Sequence, residues 1–147
     1  MPTVSWPTSR SRHQITKASD EPALDWRRSA RTIGAYAATP LRAAVADGVD
    51  VVLTTGGTGF GPRDITPEAT RRVLEREAPG LVEAIRQRHR DVVPTTILSR
   101  AVAGTVGRTL VVNLPGSTGG VRDGMEVLTP VIAHVVAQLR GGDHPAP

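Results

Sequence analysis

The sequence contains no cysteine among its 147 residues. Disulfide scaffolds, thiolate zinc sites, iron–sulfur clusters and cysteine nucleophiles are therefore excluded. No run approaches the roughly 18 uninterrupted apolar residues that a membrane span needs, so we expect no membrane partner. The first dozen residues also lack the apolar segment of a secretory signal. These absences predict a cytoplasmic protein.

Charge and apolar residues are distributed unevenly along the chain. Residues 1–40 carry six basic and three acidic side chains, a net charge of +3, whereas residues 41–147 carry only +1. Val, Ile, Leu, Met and Phe number 5 in the first segment and 32 in the second. We therefore predict an atypical, basic and poorly ordered segment over residues 1–40, followed by one folded domain over residues 41–147. The near-neutral domain argues against nucleic acid as a partner.

The spacing of apolar residues after residue 40 predicts alternating helices and strands. Gly and Pro mark the ends of these helices and strands. A β-branched run typical of a buried strand follows the first predicted helix. In chain order the pattern predicts a helix from Leu41 to a cap at Gly48, a strand over residues 50–55, a helix from an N-cap at Thr66 to before Pro79, a helix over residues 80–88, strands over residues 95–106 and 109–114 joined by a turn at 107–108, and a helix over residues 119–140 interrupted at Pro130.

Four glycines lie within residues 56–61, directly after the first predicted strand. Glycine lets backbone amides approach an anion closely, so this loop favours phosphate binding over a plain strand-to-helix turn. A Walker A loop would need Lys and then Ser or Thr where Pro62 and Arg63 stand. A dinucleotide fingerprint would need Gly or Ala at position 62. Neither familiar motif is supported.

Two further features could contribute to a phosphate site. Asp64 could hold a magnesium ion beside bound phosphates, or it could be a solvated acid paired with Arg63. Residues 113–120 form a second loop between a strand and a helix, and its glycines and hydroxyls could bind another anion or simply connect the two elements. Ligands bind at the carboxyl ends of strands in open α/β sheets, so two such loops favour a ligand with several phosphates.

Ser99 and Arg100 are candidates for substrate binding from the strand predicted over residues 95–106. Ser99 has no adjacent histidine motif, so a hydrolase triad is not indicated. The four histidines show no metal-ligand spacing.

Three motifs resemble, in order and spacing, the MogA/MoaB family of molybdenum cofactor biosynthesis proteins. They are TTGGTGFGPRDITPEAT (residues 54–70), PTTILSR (residues 94–100) and LVVNLPGS (residues 110–117). The resemblance implies an α/β fold in three layers, a mostly parallel sheet flanked by helices, with the region of the first strand degenerate or missing. It also implies a homotrimer.

The resemblance implies transfer of AMP from Mg-ATP to molybdopterin, giving adenylyl-molybdopterin and pyrophosphate. A MoeA-type molybdenum insertase would then be a partner. The alternative is a non-catalytic, MoaB-like binding or assembly homologue, inactive because the N-terminal part of the fold is altered. By resemblance, Asp64 is the catalytic aspartate and orients Mg²⁺. The nucleotide- or pterin-binding residues are Gly56, Gly57, Thr58 and Gly59 in the first loop and Pro115, Gly116 and Ser117 in the second.

Overall fold

The computed structural model describes residues 30–34 and 38–142. None of the helices in this part of the chain is long and apolar enough to cross a membrane. The elements are, in order, β1 (Ala30–Gly34), α1 (Ala38–Ala46), β2 (Val51–Thr55), α2 (Thr66–Arg71), β3 (Arg76–Glu77), α3 (Pro79–Gln87), a 3₁₀ helix (Pro94–Leu98), β4 (Ala103–Val106), β5 (Thr109–Leu114) and α4 (Thr118–Leu139).

The strands form one five-stranded sheet in the order β1-β2-β5-β4-β3. β1 pairs with β2, and β2 with β5, in parallel; β4 is antiparallel to both β5 and β3. The predicted α/β class is confirmed, and the sheet is mixed, with its parallel part at the β1 side. β5 is buried along its whole length, as expected of a central strand.

Helices cover both faces of the sheet, which gives the predicted three layers. Alternate residues of β2 point to opposite faces, since side chains alternate along a strand. The core under α3 and α4 includes Leu53, Leu110, Leu128 and Ile132. The core under α1 includes Leu41, Ala44, Val52 and Val111.

Strand β1 lies within the segment for which the sequence pattern predicts no regular element. It pairs with β2 from Ala30 opposite Val51 to Gly34 opposite Thr55. Arg31 and Thr32 are exposed at this edge of the sheet. A short strand that is held by backbone hydrogen bonds and carries two adjacent exposed polar side chains shows no clear apolar period, which explains the difference. Residues 1–29 and 35–37, also in that segment, lie outside the described residues.

Helix α2 is shorter than predicted and begins differently. It ends at Arg71 rather than before Pro79, and the chain then forms the short strand β3 against β4. Ile65 occupies the N-cap position, while Thr66 is the first helical residue. The Thr66 hydroxyl donates to the Gly56 carbonyl oxygen at 2.9 Å. The predicted N-cap was wrong, since the N-cap position falls on Ile65 and the Thr66 hydroxyl connects the first helical residue to the preceding loop.

The strand predicted over residues 95–106 exists only from Ala103 onward. Residues before it form the 3₁₀ helix, which has Pro94 at its first position and leaves Ile97 and Leu98 exposed. The antiparallel register with β5 ends where Ala103 pairs with Val112. Before it, Val102 is still hydrogen-bonded to β5, where its carbonyl oxygen accepts from the Asn113 amide at 2.9 Å, while the Arg100 amide turns to the Thr58 carbonyl oxygen at 2.8 Å. The predictions of α3, of a turn at residues 107–108 and of a long final helix are confirmed. Pro130 lies inside α4 without dividing it.

Candidate functional site

Two loops leave the sheet side by side at the carboxyl ends of β2 and β5. We call residues 56–64 the glycine loop and residues 115–117 the second loop. The strands pair in parallel with Thr55 opposite Leu114, and the Gly56 amide donates to the Leu114 carbonyl oxygen at 3.0 Å. A Cβ added to Gly116 would lie 3.2 Å from the Gly56 Cα. The two loop backbones therefore touch, as the sequence predicts for loops at one sheet edge.

The start of the glycine loop requires glycine for its backbone conformation. Gly56 and Gly57 have φ angles of +81° and +67°, in the left-handed region where a side chain is strained. The loop is tied to α2, because the Thr66 amide donates to the Gly57 oxygen at 3.1 Å while its hydroxyl bonds Gly56. The loop is thus fixed at its first two residues.

Asp64 closes the other end of the glycine loop. Its Oδ2 accepts a hydrogen bond from the Gly61 amide at 2.8 Å, and its own amide donates to the Gly61 oxygen at 3.0 Å. A Cβ on either Gly59 or Gly61 would come within 2.9 Å of Oδ2. The half-buried carboxylate therefore lies against the loop backbone, and only glycine leaves space for it. Within the described residues, its other oxygen, Oδ1, makes no hydrogen bond.

Arg100 holds the glycine loop from the segment that precedes β4. Its Nε donates to the Gly59 oxygen at 2.7 Å and its Nη2 to the Asp64 oxygen at 2.5 Å. Its backbone amide donates to the oxygen of the buried Thr58 at 2.8 Å, and its guanidinium lies 5.6 Å from the Phe60 ring centroid. The structure therefore gives Arg100 a loop-holding role. Direct substrate binding by this side chain stays a prediction.

Glu68 is a site residue that the sequence pattern does not reveal. Its Oε1 forms an ion pair with Nη1 of Arg100, and this hydrogen bond is the largest cause lowering the pKa of Glu68 from its ordinary value. Its Oε2 is buried without a hydrogen-bond partner in the described part of the chain. An acid in the first turn of a helix usually indicates only favourable helix-dipole placement. No local signal connects it to an arginine 32 residues away.

The second loop leads directly into α4. Ser117 is the N-cap of this helix, and its Oγ accepts a hydrogen bond from the Gly120 amide at 3.1 Å. A Cβ at position 120 would lie 2.6 Å from the Pro115 Cβ, so the loop packs tightly on the first helical turn. α4 has 22 residues, and its N-terminus carries partial positive charge beside the second loop.

Ser99 is not brought into this arrangement by a hydrogen bond within the described residues. It lies between the 3₁₀ helix and β4, so its predicted location in a strand was wrong. Its Oγ accepts a hydrogen bond from the Ala101 amide at 3.3 Å. The pairing of β4 with β5 begins beyond Ser99, at Ala103.

The chemistry of the site comes from backbone amides, hydroxyl groups and a single loop carboxylate. Residues 30–34 and 38–142 contain no group of three or more His, Asp or Glu side chains that could hold a metal by themselves. His89 is paired with Asp123 at 2.7 Å, in a contact between the end of α3 and α4. The glycine loop and the second loop are therefore suited to a ligand that brings its own negative charge.

These features define a class: an α/β domain that presents two glycine-containing loops at neighbouring parallel strand ends, the usual place for a phosphate-bearing ligand. Residues 33–134 match the family model described as "Probable molybdopterin binding domain". This match covers well over half of the chain. The chain belongs to this family, which includes the MogA and MoaB proteins of molybdenum cofactor biosynthesis.

Solved structures and curated relatives agree with this assignment. The chain is similar to the molybdopterin biosynthesis Mog protein of Mycobacterium ulcerans, with 51% identity and a TM-score of 0.68, over 69% of this chain and 67% of that one. It is similar to the molybdopterin biosynthesis enzyme MoaB of Thermus thermophilus, with 48% identity and a TM-score of 0.66, over 71% and 66% of the two chains.

A third relative is the molybdopterin adenylyltransferase of Helicobacter pylori strain J99, which is 45% identical over 92 residues. The alignment covers 63% of this chain and 52% of that protein. This chain thus spans about half the length of that relative.

Proposed function

We propose that this protein acts in molybdenum cofactor biosynthesis by transferring AMP from Mg-ATP to molybdopterin, which gives adenylyl-molybdopterin and pyrophosphate. The observation that carries the proposal is the contact between Gly56 and Gly116, which joins the glycine loop and the second loop into one backbone surface. Similarity to a protein named molybdopterin adenylyltransferase supports the choice of reaction. Both substrates carry phosphates, which suit adjoining glycine loops and a helix N-terminus.

The reaction makes limited demands on side-chain chemistry. The attacking group is the terminal phosphate of molybdopterin, which is already anionic at neutral pH and needs no general base. Positioning and charge neutralisation then dominate the lowering of the barrier. A site of fixed amides with one carboxylate, as found around Asp64, is consistent with this requirement.

Asp64 is the proposed ligand for magnesium. Mg²⁺ in nucleotide sites is typically held by one or two carboxylates together with phosphates and water, so a cage of several protein ligands is not needed. The Oδ1 atom of Asp64 suits this role, because its Oδ2 is already occupied by the Gly61 amide. When bound, the ion would neutralise charge on the phosphates. Within the protein, Gly61 keeps the carboxylate oriented.

Each loop has a proposed share of the binding. The first residues of the glycine loop, Gly56 to Gly59, would hold the nucleotide or the pterin. Pro115, Gly116 and Ser117 would hold the other phosphate-bearing part beside the N-terminus of α4. Arg100 contributes by fixing the glycine loop through Gly59 and Asp64.

The proposal is tested by measuring pyrophosphate release from Mg-ATP in the presence of molybdopterin. We expect release by the unaltered protein and a loss of about a hundredfold or more in Asp64→Asn, the range seen when a preorganised charge-stabilising group is removed. Asp91→Asn is the matched control, because the Asp91 side chain is 97% exposed. It should retain full activity.

The same assay separates the alternatives. Binding of molybdopterin without pyrophosphate release would instead support a non-catalytic binding or assembly role. If neither substrate raises the unfolding temperature, both roles are refuted, because a ligand of the folded state must stabilise it. The homotrimer and the MoeA-type insertase partner stay predictions from the family resemblance. Sedimentation of the purified protein tests the first, and co-sedimentation with an insertase the second.

A further inference from the structure

Asn113 is a fully buried amide in β5, one residue before the strand ends. Its Nδ2 donates two hydrogen bonds, to Thr54 Oγ1 at 2.8 Å and to Thr70 Oγ1 at 2.9 Å. Its Oδ1 accepts one from the Val102 amide at 3.1 Å. Both amide protons are thus used, and one side chain connects β2, α2 and the segment that enters β4.

The hydrogen bonds continue from Thr70 to the glycine loop. The Thr70 hydroxyl donates to the Thr66 carbonyl oxygen at 2.8 Å. Thr66 in turn bonds Gly56 through its hydroxyl and Gly57 through its amide. The residue after Asn113 is Leu114, whose carbonyl oxygen accepts from the Gly56 amide. A continuous path of hydrogen bonds therefore links the start of the glycine loop to Asn113 and Leu114, the two residues directly before the second loop.

We infer that Asn113 is a positioning residue that sets the glycine loop relative to the second loop. A buried polar network that is fully hydrogen-bonded holds one arrangement of its members, because any other arrangement leaves buried groups unpaired. The network fixes α2 against β5, and α2 holds the first two residues of the glycine loop. The effect on catalysis rests on the proposed function, whereas the effect on loop geometry does not.

The network can be broken at Thr70 with little change in shape. Thr70→Val keeps the side-chain volume but removes the acceptor for Asn113 and the donor to Thr66. Thr109→Val is the matched control in β5, because Thr109 is equally buried and its hydroxyl donates to the Val49 oxygen at 2.6 Å, at the opposite end of the strand from the loops. Thr70→Ser keeps the hydroxyl and should restore the network.

The first readout is hydrogen exchange of the Gly56 and Thr66 amides, which requires no ligand. We expect exchange about tenfold faster in Thr70→Val, the equivalent of one buried hydrogen bond. Thr109→Val should change these two rates less than twofold, and Thr70→Ser should match the unaltered protein. If Thr70→Val does not fold, Thr54→Val removes the other acceptor of Asn113 and should give the same acceleration. The inference is overturned if hydrogen exchange of these amides accelerates equally in Thr109→Val, or if it does not accelerate in Thr70→Val and Thr54→Val.

The second readout is steady-state kinetics with molybdopterin and Mg-ATP at a temperature where all variants are folded. Misplaced loops should raise KM for molybdopterin about tenfold in Thr70→Val and leave it unchanged in Thr109→Val. A merely structural role would lower the unfolding temperature of both variants without this difference in KM. If the unaltered protein shows no activity, the proposed function fails, while the exchange rates still decide the positioning role.

Discussion

Replacing Arg100 by lysine should destabilise the protein even though the positive charge is retained. The planar guanidinium reaches the Gly59 and Asp64 carbonyl oxygens and the Glu68 carboxylate at once. A lysine ammonium is a single compact donor group and cannot span these three acceptors. Hydrogen bonds from charged donors contribute roughly 1.5 to 3 kcal/mol each when buried.

The size of the expected fall in stability follows from the two hydrogen bonds to carbonyl oxygens that lysine loses. The Arg100 side chain is 27% exposed, so solvent weakens each contact and the lower end of the range applies. We expect the free energy of unfolding in Arg100→Lys to fall by about 2 to 3 kcal/mol, measured by urea denaturation at neutral pH.

A second arginine provides the matched control for this measurement. Arg71 lies on α2 and pairs with Glu77 at 3.4 Å, with both side chains about half exposed. Arg71→Lys should change the free energy of unfolding by less than about 0.5 kcal/mol. If both substitutions have the same small effect, Arg100 does not hold the glycine loop and the reasoning is refuted.

Three further predictions concern the sheet, the core and the Glu68–Arg100 ion pair. Gly104→Ala would place a Cβ 2.2 Å from the Arg76 carbonyl oxygen, so β3 and β4 must separate. We expect the free energy of unfolding, measured by chemical denaturation, to fall by about 1 to 3 kcal/mol. An unchanged stability would contradict this close approach of the two strands. Leu128→Ala empties a fully buried position and should cost about 2 to 5 kcal/mol by thermal unfolding, while a loss below about 1 kcal/mol would show that this site is not well packed. The hydrogen bond from Arg100 lowers the pKa of Glu68 below 4.5, so the stabilisation is complete above pH 4.5 and is lost as the pH falls through the lowered pKa. The difference in stability between the unaltered protein and Glu68→Gln should therefore shrink in acid, and a difference independent of pH would argue against the pair.

Much of the fold could be predicted because apolar spacing reflects burial. The central strands β2 and β5 and the long helix α4 all have continuous or periodic apolar residues that face the cores. Strand β1 could not be predicted in this way, because its pairing uses backbone groups and the side chains of Arg31 and Thr32 are both exposed at the sheet edge. The early end of α2 depends on the pairing of β3 with β4, a contact between residues about 30 apart in the chain.

The site was predictable where glycine has a local role. Gly56 and Gly57 adopt left-handed backbone conformations, and such requirements are visible as a glycine-rich segment after a strand. The roles of Arg100, Glu68 and Asn113 were not visible, because their partners are brought close only by the fold. A long-range hydrogen bond leaves no spacing signature in a single sequence.

The most direct test of a ligand site made by the glycine loop and the second loop is an NMR titration of the isotope-labelled protein with molybdopterin and Mg-ATP. The account predicts that the largest amide shifts fall in residues 56–64 and 115–120, with small changes elsewhere in the described domain. Shifts concentrated around residues 88–98, with both loops unaffected, would contradict it.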